Sequence, residues 1–158
     1  MNDEVMEILL VEDDPQDVEL TLRVLQSEHV KNRVQVARDG EEALDYLFRR
    51  GPFAIRPADT HPRLVLLDLK LPKVDGLSVL RALKGDHRTR WIPVIVLTSS
   101  KEERDLTACY ELGVNSYIQK PVDFEQFREA VHTLALYWLL VNQPPPGRSL
   151  PDRAEESA

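Results

Sequence analysis

A chain of 158 residues with a single cysteine, a net charge of −7 and 42% hydrophobic residues suits one globular domain with a full-sized core. The acidity argues against general nucleic-acid binding, which needs a basic surface, and no apolar run approaches the ~20 residues of a membrane span. Met1-Asn2-Asp3-Glu4 is unlike a signal peptide, and the lone Cys109 excludes an internal disulfide and fits a reducing cytoplasm.

Short apolar runs alternate with longer amphipathic ones. Met6–Val11 predicts a buried strand that runs into Glu12, Asp13 and Asp14 and stops at Pro15. Asp14 before Pro15 is a helix start, with an N-cap carboxylate, proline at the first helical position and Asp17 at the third. That helix spans 15–28, with Val18, Leu22 and Leu25 inward. It leaves Glu12 and Asp13 without a structural task, although adjacent carboxylates repel and raise one another's pKa unless a cation answers them. A strand at 33–37 and a helix at 40–49, with Ala43, Leu44, Leu47 and Phe48 at helical spacing, follow. Residues 51–62 carry three prolines and form a loop longer than most connections. Leu64–Leu67 is a strand ending at Asp68, and 77–84 a helix, with Pro72 and Gly76 shaping the loop between. Then come a strand at 93–97 ending at Thr98, a helix at 102–112 in which Cys109 is a packed or idle thiol, a short strand at 116–118 and a long helix at 124–141. The folded domain is expected over 6–142. The tail, 143–158, is proline-rich and charged, and is expected to be disordered.

Five strand–helix alternations with near-continuous apolar strands mean an α/β fold, a parallel sheet covered on both faces. Sites in such sheets form beyond the carboxyl ends of the strands. The residues just past the strands are Glu12 and Asp13, Asp68, Thr98 and Ser99, and Lys120, and they should meet at one edge. Three carboxylates there make a hard-cation site. Magnesium uses one or two protein carboxylates, keeps several waters and leaves room for phosphate oxygens. Lys120 adds positive charge, and the Thr98 hydroxyl can donate to a phosphoryl oxygen. A carboxylate nucleophile leads to an aspartyl-phosphate, and Asp68, at the end of a central strand, is the expected acceptor. His29, His61, His87 and His132 lack metal-ligand spacing.

"LLVEDD", "LVLLDLKLPKVDG", "VIVLTSS" and "SYIQKP" resemble, in order and spacing, the four signatures of receiver domains of two-component response regulators. The resemblance runs from about Met6 to Val141. It implies a flavodoxin-like, doubly wound fold with five parallel strands in the order 2-1-3-4-5. It also implies that Asp68 takes a phosphoryl group from a phosphohistidine on a sensor histidine kinase. Asp13 and Asp68 would bind magnesium, or manganese in its place, directly. Glu12 would bind through a water, and the Lys70 main-chain carbonyl would complete the protein ligands. Lys120 would pair with the phosphoryl group, Thr98 would turn toward it, and Tyr117 would swing inward as that threonine moves.

No output domain is expected after the last helix, so output is expected through another, unknown protein, a further phosphotransfer or self-association. In that helix Phe124, Phe127, Val131, Leu134, Ala135 and Trp138 can face the core. Leu136, Tyr137, Leu139, Leu140 and Val141 spread round the remaining faces, and a helix apolar all round wants burial on more than one side. A homodimer or docked partner is therefore expected on this helix and the 102–112 helix, with Phe127, Leu136, Tyr137, Leu139 and Leu140 as its candidate contacts. The long loop before the third strand and the ending "YWLLVNQPPP" resemble single-domain regulators paired with bacterial and cyanobacterial phytochromes.

Two other classes compete, and a receiver that works unphosphorylated as a scaffold is a third possibility, which the complete site disfavours. A flavin-binding module of the same sheet order needs a hydroxyl- and glycine-rich phosphate loop where this chain has "EDDPQD". A phosphohydrolase with an aspartyl nucleophile needs a second acid near it, yet "DLKLP" has no carboxylate two residues after Asp68.

Overall fold

Residues along each central strand alternate between two hydrophobic layers, and that alternation accounts for the architecture. The computed structural model describes residues 6–26, 32–57, 60–120 and 123–138. Strands β1 (Met6–Val11), β2 (Asn32–Ala37), β3 (Leu64–Leu67), β4 (Val94–Thr98) and β5 (Ser116–Gln119) pair in parallel in the order β2-β1-β3-β4-β5. Helices α1 (Pro15–Gln26), α2 (Gly40–Leu47), α3 (Gly76–Gly85), α4 (Glu103–Glu111) and α5 (Phe124–Leu136) follow the strands in turn. This is the doubly wound sheet order implied by the resemblance.

Successive strand side chains project to opposite faces. Leu9, Val11, Val65, Leu67, Val94 and Val96 share one layer with Ala43, Leu80 and Cys109 of α2, α3 and α4. Ile8, Leu10, Leu64, Leu66, Ile95 and Leu97 share the other with α1 and α5. Every residue of β3 and β4 is buried, which is why those strands read as unbroken apolar runs. Each full burial of Leu, Ile or Val is worth roughly 1.5–3 kcal/mol, so a one-residue slip of a central strand is strongly disfavoured.

Local chemistry sets the helix starts. Asp14 accepts the Gln16 N–H at 2.9 Å on its side chain, Asp75 accepts the Ser78 N–H at 2.8 Å, and Asp123 accepts the Glu125 N–H at 2.7 Å. Pro93, predicted inside the fourth strand, stands just before it. It has no N–H to give the ladder, although its carbonyl accepts from Val65 N–H at 3.0 Å. The proline-rich loop contains a 3-10 turn, Gly51–Phe53. Arg56 pins that loop by stacking 3.8 Å over the Tyr46 ring and pairing with Glu7 at 3.7 Å.

Two expectations for the last helix need correction. Phe124 is exposed, because as the first helical residue it stands past the sheet. Phe127, expected as a dimer contact, is only 4% exposed and packs in the α1–α5 layer, so it is spent on this chain's own core. Tyr137 is exposed. The Leu136 side chain, Leu139, Leu140 and the tail at 143–158 lie outside the described residues.

Candidate functional site

Hydrogen bonds that continue the ladder one residue past each strand bring the tips together. Asp68 N–H donates to Val11 O at 3.0 Å, Glu12 N–H to Ala37 O at 3.0 Å, and Lys120 N–H to Thr98 O at 2.7 Å. Register places Val11 beside Leu67, and Leu67 beside Val96. The groups after β1, β3, β4 and β5 therefore gather at the carboxyl edge of the sheet, as expected.

Glu12, Asp13 and Asp68 each place a carboxylate oxygen within 4.8 Å of the others. Glu12 is 4% exposed, Asp68 8% and Thr98 fully buried, while Asp13 opens to solvent. An all-oxygen, anionic cluster with one open side fits a hard dication that keeps part of its water. Beside it lies a cleft of about 510 Å³ lined by Asp13, Lys70, Asp75, Glu102 and Asp105. Lys70 N–H donates to Asp68 Oδ1 at 3.4 Å.

Lys120 bridges the cluster. Its Nζ lies 2.7 Å from Glu12 Oε1, 2.7 Å from Asp17 Oδ2 and 3.4 Å from Asp68 Oδ2. Burial pulls this ammonium down, but the Asp17 and Glu12 hydrogen bonds more than offset that, and its pKa ends above the ordinary lysine value. Burial pushes the Glu12 carboxyl up to about 7, opposed by the Lys120 hydrogen bond and reinforced by the Asp68 charge. Desolvation, rather than crowding by Asp13 and Asp14, is thus the main cause. The lysine stays charged.

Thr98 and Tyr117 meet through Ser100. The Thr98 hydroxyl oxygen accepts the Ser100 N–H at 3.3 Å, and the Tyr117 hydroxyl donates to Ser100 O at 3.2 Å. Ser100 Oγ donates to Asp105 Oδ2 at 2.6 Å, which ties the β4–α4 connection to the first turn of α4. Cys109 is buried with its thiol pushed up to about 11, chiefly by desolvation, so it is a packing residue.

Sequence reasoning missed Asp17, Ser100 and Asp105. Asp17 reads as an ordinary first-turn acid, favoured there by the helix dipole. Asp13 precedes the helix that starts at Pro15, so helical spacing does not link the two acids, and no local signal points from Asp17 to Lys120.

Residues 8–132 match the model of the response regulator receiver domain. The chain belongs to that family. The receiver is 43% identical to the probable methanogenesis regulatory protein FilR2 of Methanothrix harundinacea, over 87% of this chain and 86% of that one. It is 39% identical to response regulator Rcp1 of Synechocystis sp., over 84% and 88%. The solved Mn2+-bound form of Rcp1 matches the receiver with a TM-score of 0.83 at 37% identity, covering 89% of this chain and 99% of that one. The phosphorylated cyanobacterial phytochrome response regulator RcpA gives a TM-score of 0.85 at 38% identity, over 90% and 99%. The bacteriophytochrome response regulator AtBRR gives 0.70 at 55% identity, over 89% and 99%. The receiver is thus a signalling protein of the two-component type whose relatives include phytochrome-associated regulators. No helix among the described residues is long and apolar enough to cross a membrane.

Proposed function

We propose that the receiver accepts a phosphoryl group on Asp68 from a phosphohistidine of a sensor histidine kinase. An Asp68 carboxylate oxygen attacks phosphorus, the P–N bond breaks, and its electron pair stays on the imidazole nitrogen. The product is an acyl phosphate, which water hydrolyses slowly, breaking the P–O bond to restore the carboxylate and release inorganic phosphate. Held by Asp13, Asp68, the Lys70 carbonyl and, through a water, Glu12, magnesium or manganese would neutralise the phosphoryl oxygens. Lys120 gives an N–H to one of those oxygens. Thr98 keeps its own O–H free to donate to another, since its oxygen now accepts from Ser100. A turn of Thr98 would pull on the Ser100 segment that Tyr117 holds, carrying the phosphorylation state to the α4–β5 surface.

The observation that carries this reading is the meeting of Lys120 with Asp68 inside a three-carboxylate cluster built from separate strand tips. Likeness to RcpA and AtBRR supports a phytochrome kinase as the donor. Output would run through an unknown downstream protein or homodimerisation on the last helix. The test is incubation with magnesium and acetyl phosphate, followed by intact mass. Wild type gains an acid-stable, base-labile phosphoryl group and Asp68→Asn does not. Labelling that survives the substitution would place the acceptor elsewhere. Multiple turnover of small phosphate esters would favour the phosphohydrolase instead.

A further inference from the structure

An ammonium carries three N–H donors, and Lys120 uses all of them, on Glu12, Asp17 and Asp68. Two of those acceptors have a second task. Glu12 and Asp68 belong with Asp13 to the carboxylates that can share a cation, whereas Asp17 stands outside that group. A dication therefore draws on the oxygens of Glu12 and Asp68 and leaves Asp17 as the one lysine partner it does not claim. The Lys120 side chain is 11% exposed, so its bond to Asp17 is no loose surface pair. Asp17 lies in the first turn of α1, fixed by the Asp14 cap, and so offers a rigid anchor to a flexible four-carbon stem.

We propose that Asp17 is a positioning residue for phosphoryl transfer at Asp68. It holds the Lys120 ammonium from the α1 side and keeps one N–H aimed at Asp68 and at the phosphoryl oxygen that arrives there. The inference rests on Asp68 being the acceptor, as proposed above. An acid that merely favours the helix dipole would change stability and leave the transfer rate alone.

The test uses the full chain as wild type, Asp17→Asn, Asp17→Ala, Lys120→Ala and the double variant Asp17→Ala/Lys120→Ala. Acetyl phosphate with magnesium supplies the label, and intact mass follows its rate. Both Asp17 variants are expected to label about tenfold more slowly, the loss of one charge-assisted hydrogen bond read as a rate. Magnesium affinity by calorimetric titration stays near the wild-type value. The double variant is no slower than Lys120→Ala alone, because Asp17 acts only through the lysine. In metal-free protein, a slowly exchanging Lys120 ammonium signal in 15N NMR is present in wild type and lost in Asp17→Ala. Wild-type labelling rates in both Asp17 variants, or an additive loss in the double variant, overturn the proposal and leave Asp68 as acceptor. A wild type that takes no label at Asp68 overturns both.

Discussion

The backbone of Gly76 presses against the carbonyl of Asp68: a Cβ built on this glycine would lie 2.3 Å from Asp68 O and 2.5 Å from Leu69 Cα. Gly76 N–H also donates to Leu69 O at 2.9 Å. The start of α3 therefore rests directly on the chain segment that carries the candidate acceptor. Gly76→Ala has to move backbone rather than a side-chain tip. The expected outcome is a loss of roughly 1–3 kcal/mol of stability from overpacking, with slower labelling of Asp68. Urea denaturation and the acetyl phosphate assay measure the two effects. A variant as stable and as reactive as wild type would mean the contact is slack.

Stability of the metal-free protein should fall as pH rises through the Glu12 transition. Burial lifts this carboxyl from 4.5 in the unfolded chain to about 7 in the fold. Between those values the folded state holds more protons than the unfolded one, so the Glu12 contribution is fully present below the unfolded pKa and is lost as pH rises to the folded one. Thermal melts in a chelator should show that decline in wild type and a flatter profile in Glu12→Gln, which cannot ionise. Added magnesium requires ionised carboxylates and binds only the folded chain. It should therefore raise the melting temperature more at about pH 7.5 than at about pH 5.5. Equal pH slopes in the two proteins would remove Glu12 as the titrating group.

Much of this was legible in the sequence because the relevant signals were local. The apolar runs 8–11 of β1, 64–67 of β3 and 94–97 of β4 are buried, and the residue after each one is polar, so the strand tips announced themselves. Asp14 reads as a cap from the proline after it, whereas the caps at Asp75 and Asp123 emerge only in the structure. What could not be read was anything decided by three-dimensional reach. Asp17 is one more first-turn acid until Lys120, more than a hundred positions away, lands 2.7 Å from it. Phe127 fits both the core and an outer face by spacing, and only the packing of α5 against α1 assigns it to the core. The 3-10 turn at Gly51–Phe53 hides within a proline-rich stretch whose order depends on Arg56 meeting Tyr46 and Glu7.

Ser100 should prove more than a linker residue. Its Oγ donates to Asp105 Oδ2 at 2.6 Å and accepts the Glu102 N–H at 3.3 Å, while its main chain serves Thr98 and Tyr117. Ser100→Ala removes both side-chain bonds and leaves the Asp105 carboxylate unmatched, a cost of about 1–2 kcal/mol. Ser100→Thr keeps the hydroxyl and should restore most of it. Urea midpoints of the three proteins decide, and an alanine variant with the wild-type midpoint would reduce this bond to a surface contact.

Among the described residues five large apolar side chains are exposed: Ile55 in the proline-rich loop, Leu106 and Tyr110 of α4, and Phe124 and Tyr137 at the two ends of α5. The two helices flank β5, the edge strand of the sheet, from opposite faces. Scattered apolar residues need no explanation, but several around one sheet edge mark a surface that a partner would cover. A second copy of the chain brings the same surface, and a two-fold contact buries both at once. Size-exclusion chromatography should therefore find wild type as a dimer. Tyr110→Glu and Leu140→Glu, each placing a charge where apolar contact is expected, should shift it toward the monomer with an unchanged far-UV circular dichroism spectrum, and the melting temperature should lose its dependence on protein concentration. Because Tyr110 is on α4 and Leu140 follows α5, the pair also separates the two helices. Loss of the dimer in one variant alone assigns the contact to that helix, and an unchanged monomer in all three proteins removes the homodimer.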